Sequence, residues 1–180
     1  MPNFEQWAAI GPHFLSGTAV IVFLDFDGVL HPDPCQDVKR LFENGPRLAR
    51  TLGEFPQAVV VLSTAWRQVR TFDQMVKHLP AKLRPFIIGT TPNFNDITTS
   101  AALVPYRRQA ECMHWMQHNR LQDEAWLAID DRPGGFTPYC ESLITCDPQT
   151  GFDAEAAARL RSALVRHFQR HGSTVDLLID

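Results

Sequence analysis

The sequence predicts an α/β fold in which helices cover both faces of a mainly parallel, five-stranded sheet. Short apolar runs alternate with longer amphipathic stretches, which is typical of doubly wound domains with right-handed crossovers. The runs are continuously apolar, as expected of strands buried on both faces. They are "AVIVFLDF" at 19–26, "QAVVVLST" at 57–64, "RPFIIGTT" at 84–91, "AWLAIDD" at 125–131 and "SLITCD" at 142–147.

Four stretches with apolar residues at spacings of three and four predict the helices. In the third stretch, Ala110, Met113, Trp115 and Met116 form the expected inward face. The last stretch begins with acids and ends with cations, as the helix dipole favours. The stretches cover residues 37–55, 66–80, 106–121 and 153–171.

Length and composition predict one domain over residues 1–180, with its core motifs within 20–150. A chain of 180 residues can bury one sizeable core but is short for two domains. A content of 44% hydrophobic and 21% charged residues is that of a globular protein. The net charge of -3 argues against a broad basic surface for duplex nucleic acid. Its positive charge is nearly all arginine, which suits a local anion site.

The cysteine pattern and the absence of targeting signals predict a cytoplasmic protein. Cys35, Cys112, Cys140 and Cys146 form no CxxC pair, so neither a zinc site nor a disulfide framework is expected. The N-terminus lacks a basic region followed by an apolar stretch, so we expect no signal peptide. No segment approaches the ~20 apolar residues of a membrane helix, and no membrane contact is expected.

Acids and hydroxyls follow the predicted strands, at the points where the strands end. The carboxyl ends of parallel strands meet at one edge of the sheet, where such folds bind ligands. Carboxylates gathered there repel one another unless a cation lies between them, and oxygen ligands favour Mg²⁺. The sequence therefore predicts a Mg²⁺ site. The strand-end residues are Asp25 and Asp27, Ser63 and Thr64, Gly89 to Thr91, Asp130 and Asp131, and Asp147.

The order of these motifs resembles the haloacid dehalogenase (HAD) superfamily of phosphohydrolases. A strand ending in DxDG, "FLDFDGVL", is followed by a strand ending in Ser and Thr, "VVVLST". A basic residue within "PYRRQAE" and an acidic strand end, "LAIDD", come next. The resemblance spans roughly residues 20–150. It implies a Rossmann-like three-layer sandwich and a Mg²⁺-dependent phosphoric monoester hydrolase.

The resemblance also implies roles for the acids. Asp25 would be the nucleophile that forms an aspartyl-phosphate, and Asp27 would exchange protons with the leaving group and with water. Asp25, Asp130 and Asp131 would bind the metal, together with the backbone carbonyl of Asp27. Gly28 would allow the tight turn that follows.

Three further residues are expected to bind the substrate phosphate. The resemblance implies that the Ser63 hydroxyl, helped by the Thr64 backbone amide, would donate to a phosphoryl oxygen. An arginine at the start of the third helix would balance the charge, in place of the lysine found in most members. Arg107 and Arg108 both qualify, and we favour Arg108 because it precedes Glu111 in an RxxE pattern.

The gaps between the motifs are too short for a cap domain. An open, capless site suits phosphate on a large substrate, or a small substrate covered by another subunit or a partner protein. The strings "LDFDGVLHP", "LSTAWR" and "AIDD" also resemble the HAD domain joined to RNA-repair enzymes, which makes a nucleic-acid end one expected substrate. The tail "GSTVDLLID" at 172–180 is expected to add an edge strand or to pair with another chain.

Three other interpretations of the acidic motif are weaker. An EF-hand loop needs a glutamate at its twelfth position, which "DFDGVLHPDPCQ" lacks. A response-regulator receiver carries its phosphorylated aspartate on the third strand, but "RPFIIGTT" ends without an acid. The third interpretation is a catalytically silent HAD-fold binding or regulatory module. It stands as the alternative function, although both Asp25 and Asp27 are present.

Several polar residues outside the motifs are expected to be structural. Glu111, His114 and His118 share a helical spacing, which predicts a solvated helix face. Arg67 is expected at the surface, with a grip on substrate as the alternative. His31 is expected in a polar loop or in contact with substrate.

Overall fold

A computed structural model describes residues 19–170 and contains a five-stranded sheet in the order β3-β2-β1-β4-β5. Every neighbouring pair in this sheet is parallel. The predicted α/β class and the five strands are therefore confirmed. The strands are β1 Val20–Leu24, β2 Ala58–Leu62, β3 Ile87–Thr90, β4 Ala125–Asp130 and β5 Leu143–Thr145.

Within residues 19–170, four α-helices and several short 3-10 turns connect and follow these strands. The helix predicted over 37–55 is shorter than expected because Phe42 adopts a positive φ of 60°, which breaks the helical path before Gly45. Pro46 lies in the first turn of the remaining helix, where its missing N–H costs nothing. The helices are α1 Gly45–Gly53, α2 Phe72–His78, α3 Arg107–His118 and α4 Ala154–Arg170.

The sheet is buried on both faces, as its continuous apolar strands predict. Val22 on β1 belongs to one core cluster, together with residues of α1, α2 and α4. Phe23 points to the opposite face and packs edge-on against Trp115 of α3, with ring centroids 5.9 Å apart. These clusters make the three layers of the predicted Rossmann-like sandwich.

The topology places the ends of β1 and β4 at the point where the strand order reverses. β3 lies at one edge of the sheet. After β3 the chain forms α3 and then enters β4, which lies on the other side of β1. Leu24 is in register with both Leu62 and Ile129, so the residues after β1, β2 and β4 lie side by side. Ligands of doubly wound folds bind at such a switch point.

Within residues 19–170, the connections between strands carry single helices and short turns, consistent with the predicted absence of a cap domain. None of the helices in this range is both long and apolar enough to cross a membrane. The predictions for the N-terminus and for the tail at 172–180 concern residues outside the described range.

Candidate active site

Three carboxylates meet at the ends of β1 and β4. Asp25 follows β1, Asp130 ends β4 and Asp131 comes next, and one oxygen from each lies within 4.8 Å of the others. Asp25 is 3% exposed and Asp130 is 1% exposed. Such a group of oxygen ligands could hold a divalent metal ion.

The electrostatics of this cluster fit a bound cation. Burial, followed by repulsion from Asp25, raises the pKa of Asp130 to about 7. Burial also raises the pKa of Asp25 and of Asp131. Within the described residues, Asp131 Oδ1 is buried with no donor at hydrogen-bond distance, and Arg132 Nε lies 3.7 Å from it. A divalent ion would relieve the repulsion and supply the missing partner, so the residues present fit the predicted Mg²⁺.

Arg108 is the arginine that reaches these acids. Its Nη2 donates to Asp25 Oδ2 at 3.0 Å, and its Nε lies 3.4 Å from Asp130 Oδ2. The Arg107 guanidinium instead lies over the Phe94 ring, 5.1 Å from the ring centroid. The geometry therefore agrees with the preference for Arg108 over Arg107, and binding of phosphate by Arg108 stays a prediction.

The two residues after β2 point their side chains in different directions. The Thr64 hydroxyl accepts a hydrogen bond from the backbone N–H of Trp66, at 3.4 Å. The Ser63 hydroxyl lies 3.9 Å from the Cys112 sulfur, on the α3 side of the sheet. The Thr64 side chain opposes the rise that burial causes in the pKa of Asp25, an influence that the sequence reasoning did not anticipate. Binding of phosphate by Ser63 and by the Thr64 amide stays a prediction.

The Asp27 carboxylate is not part of the three-carboxylate cluster found among the described residues. Its Oδ1 lies 3.0 Å from His31 Nε2, and the Trp66 indole N–H donates to both oxygens, at 3.0 and 3.1 Å. The hydrogen bond from His31, helped by Trp66, lowers the pKa of Asp27 against the opposing effect of burial. The Asp27 carboxylate is thus engaged by His31 and Trp66, and its backbone carbonyl stays the predicted metal ligand.

Gly28 allows the chain to turn beside the cluster. Its φ is +68°, a backbone conformation that is unfavourable for residues with a Cβ. A Cβ at this position would also overlap the Asp131 carboxyl group. The glycine of the DxDG motif therefore makes room for a predicted metal ligand.

A protein-family comparison agrees with this geometry. The family described as "HAD domain in Swiss Army Knife RNA repair proteins" matches residues 21–157, about three quarters of the chain. The chain belongs to this family. Among curated proteins and solved structures, none matches it. Membership confirms the predicted HAD resemblance and indicates a hydrolase of the phosphatase type.

The expectation that Glu111 lies on a solvated face of α3 is wrong for this HAD domain. Glu111 is buried, its Oε1 lies 2.6 Å from Arg67 Nη2, and it accepts a hydrogen bond from the Phe94 N–H at 2.9 Å. Arg67 is partly buried, and its side chain is only 7% exposed, so its expected surface location is wrong as well. The two residues form a buried ion pair beside the acidic cluster.

Sequence reasoning also missed the environment of His31 and Trp66 in this HAD domain. His31 is 1% exposed, and its ring packs edge-on against Phe42 and Trp66. The signal for Trp66 is its position two residues after Thr64, at the end of the Ser-Thr strand, where its indole reaches Asp27 in the turn after β1. Sequence spacing does not predict a contact between the turn after β1 and the turn after β2, because the two turns are far apart in the chain.

Proposed function

We propose that this HAD domain is a Mg²⁺-dependent phosphatase that hydrolyses a phosphomonoester through an aspartyl-phosphate at Asp25. The observation that carries the proposal is the contact of Arg108 with Asp25 inside a buried group of three carboxylates. A carboxylate attacks an anionic phosphate only where positive charge offsets the repulsion. Arg108 supplies one such charge, next to Asp25.

The first step transfers the phosphoryl group to the protein. An oxygen of Asp25 attacks phosphorus, and the bond to the leaving oxygen breaks with its electron pair on that oxygen. The protonated form of Asp27 gives its proton to the leaving oxygen, which departs as an alcohol. Because His31 and Trp66 lower the pKa of Asp27, this step should slow as the pH rises. The guanidinium of Arg108 hydrogen-bonds the transferring oxygens as their charge spreads.

The second step regenerates the protein. Asp27, now a carboxylate, takes a proton from water while the water oxygen attacks phosphorus. The bond between phosphorus and Asp25 breaks, which restores the Asp25 carboxylate and releases inorganic phosphate. Mg²⁺ held by Asp25, Asp130 and Asp131 would neutralise phosphoryl charge and orient the phosphate in both steps.

A nucleic-acid end is the proposed substrate within this class. The connections between the strands hold no separate cap in the described residues, so a large substrate can reach the carboxyl edge of the sheet. The family description names RNA repair proteins, in which removal of a terminal phosphate is a useful reaction. A net charge of -3 does not oppose this substrate because a single end needs only a local cationic grip.

Steady-state hydrolysis of p-nitrophenyl phosphate, with Mg²⁺ and with a chelator, tests the proposal. Wild type should require Mg²⁺, and Asp25→Asn should lose activity by roughly a thousandfold or more, because the nucleophile is removed. The matched control is Asp123→Asn, an exposed aspartate before β4 at the opposite edge of the sheet, which should retain wild-type activity.

The intermediate has its own test. Acid quenching during turnover of a radiolabelled substrate should trap label on wild type that hydroxylamine releases, since acyl phosphates react with it. Full activity in Asp25→Asn would refute the mechanism. No Mg²⁺-dependent turnover by wild type over a broad substrate panel would favour the silent binding module instead.

A further inference from the structure

A pocket of about 380 Å³ adjoins the acidic cluster, which is within the range of small-ligand sites. Arg108 lines this pocket and also contacts Asp25, so a molecule in the pocket would lie next to the proposed nucleophile. Four arginines and one glutamate are among the lining residues. The charged lining consists of Arg67, Arg107, Arg108, Arg132 and Glu111.

Three of the four arginines already contact acids of this chain. Arg108 contacts Asp25, Arg67 Nη2 lies 2.6 Å from Glu111, and Arg132 Nη2 lies 2.9 Å from Asp33. Arg107 differs from them. It is exposed, and within the described residues no carboxylate lies within ion-pair distance of it. It is therefore the pocket arginine with a positive charge available to a ligand.

Arg107 and Phe94 lie together on one wall of the pocket. The guanidinium lies over the Phe94 ring, 5.1 Å from the centroid. Glu111 fixes this wall, because it accepts from the Phe94 N–H at 2.9 Å and pairs with Arg67. Nucleic-acid bases stack on aromatic rings and on guanidinium planes. The wall thus combines a stacking surface with a cation.

Resting on the phosphatase function proposed above, we infer that this pocket binds the second nucleotide from the phosphorylated end of a nucleic-acid strand. Arg107 holds the phosphodiester that joins this nucleotide to the end, and the surface of Arg107 and Phe94 stacks its base. The terminal phosphate then lies at Arg108 and Asp25. A phosphopeptide or a sugar phosphate offers no second phosphate paired with a flat base.

Comparison of a mononucleotide with a dinucleotide carrying a terminal phosphomonoester tests the inference. Strands phosphorylated at the 5′ and at the 3′ end are both measured, which identifies the end that is used. For that end, kcat/KM should be about tenfold higher for the dinucleotide than for the mononucleotide, as one charge-assisted contact implies. The advantage should shrink as salt is added.

Arg107→Gln should abolish this advantage, and Arg107→Lys should recover part of it, because lysine keeps the charge but not the planar group. Arg50→Gln is the matched control. It removes an exposed arginine at the end of α1 and should leave the advantage intact. Equal loss of the advantage in both variants would point to a general effect of charge and would overturn the subsite.

Failure of the subsite is distinguishable from failure of the phosphatase function. Wild type that hydrolyses p-nitrophenyl phosphate but treats both nucleotides alike would retain the function and refute the subsite. Calorimetric titration of the Asp25→Asn protein with the same two ligands measures the subsite without turnover. An affinity advantage for the dinucleotide that depends on Arg107 supports it. Equal affinities, or tighter binding of a phosphoserine peptide, would overturn it.

Discussion

The indole N–H of Trp66 donates to both carboxylate oxygens of Asp27, at 3.0 and 3.1 Å. Trp66 lies in the 3-10 turn Ala65–Gln68 after β2, whereas Asp27 lies in the turn after β1. His31 Nε2 contacts the same carboxylate from the far end of the β1 turn, at 3.0 Å. The orientation of the proposed proton donor is therefore set by two loops, and this arrangement can be tested through catalysis.

Trp66→Phe should keep the ring packing against Phe26 but remove the indole N–H. We expect a fall in kcat of about tenfold on an alkyl phosphate, because general acid catalysis typically contributes 10²–10⁴-fold and only part of it depends on orientation. The fall should be much smaller on p-nitrophenyl phosphate, whose leaving oxygen needs little protonation.

Trp126→Phe is the matched control, since Trp126 packs against Phe23 in the core cluster on the α3 side. Fixed-time assays of released phosphate measure kcat of each variant on the two substrates. An equal loss on both by Trp66→Phe would mean that Trp66 acts through packing rather than through Asp27.

Gly28→Ala should reduce both stability and metal affinity. The φ of +68° costs a residue with a Cβ roughly 1–2 kcal/mol, and the added Cβ overlaps the Asp131 carboxyl group. Gly53→Ala is the control, because a Cβ there meets nothing within 4 Å. Urea unfolding measures the stability, and Mg²⁺ titration followed by the shift in melting temperature measures the binding. Unchanged metal affinity in Gly28→Ala would exclude Asp131 as a ligand.

Much of the fold follows from the sequence because continuous apolar runs leave few choices for β1, β2 and β4. The start of α1 does not. Asn44 donates through its side chain to the carbonyls of Val29 and Thr150, at 3.2 and 2.9 Å. Its second contact joins residues 106 positions apart in the chain, so the local helical pattern of 37–55 does not predict this contact.

The acidic cluster could be predicted for a similar reason. Asp25, Asp130 and Asp131 follow parallel strands, and the topology alone brings such residues together. Glu111 is different because its burial depends on Arg67 from another element. Its position on a polar helix gives no sign of that pairing, which becomes visible only when α3 packs against the turn after β2.

Breaking the buried pair of Arg67 and Glu111 should be costly. Glu111→Gln leaves the Arg67 guanidinium without its counter-charge where side chains are only 7% exposed, so we expect a loss of about 3 kcal/mol in the free energy of unfolding. Glu54→Gln breaks an exposed pair with Arg161 and should cost at most about 1 kcal/mol. Urea denaturation of both variants compares them, and equal losses would contradict the assignment of a buried, organising role to Glu111.

The stability of the metal-free protein should fall as pH rises from about 4 to about 7. Burial and repulsion from Asp25 raise the pKa of Asp130 from its ordinary 3.8 to about 7, so the folded protein holds a proton that the unfolded chain has released in this range. Because the folded state then binds more protons, the free energy of unfolding decreases with pH. The decrease ends above the folded pKa, where Asp130 is charged in both states.

Asp130→Asn should flatten this decline, since the amide does not titrate and still offers an oxygen to the Arg132 N–H, which donates to Asp130 Oδ1 at 2.8 Å. Mg²⁺ should restore stability to wild type near pH 7.5, where it replaces the proton, but should have little effect on the variant. Urea unfolding in chelator and in Mg²⁺ at several pH values gives both comparisons. If the free energy of unfolding of the variant declines with pH as much as that of wild type, Asp130 is not the group responsible.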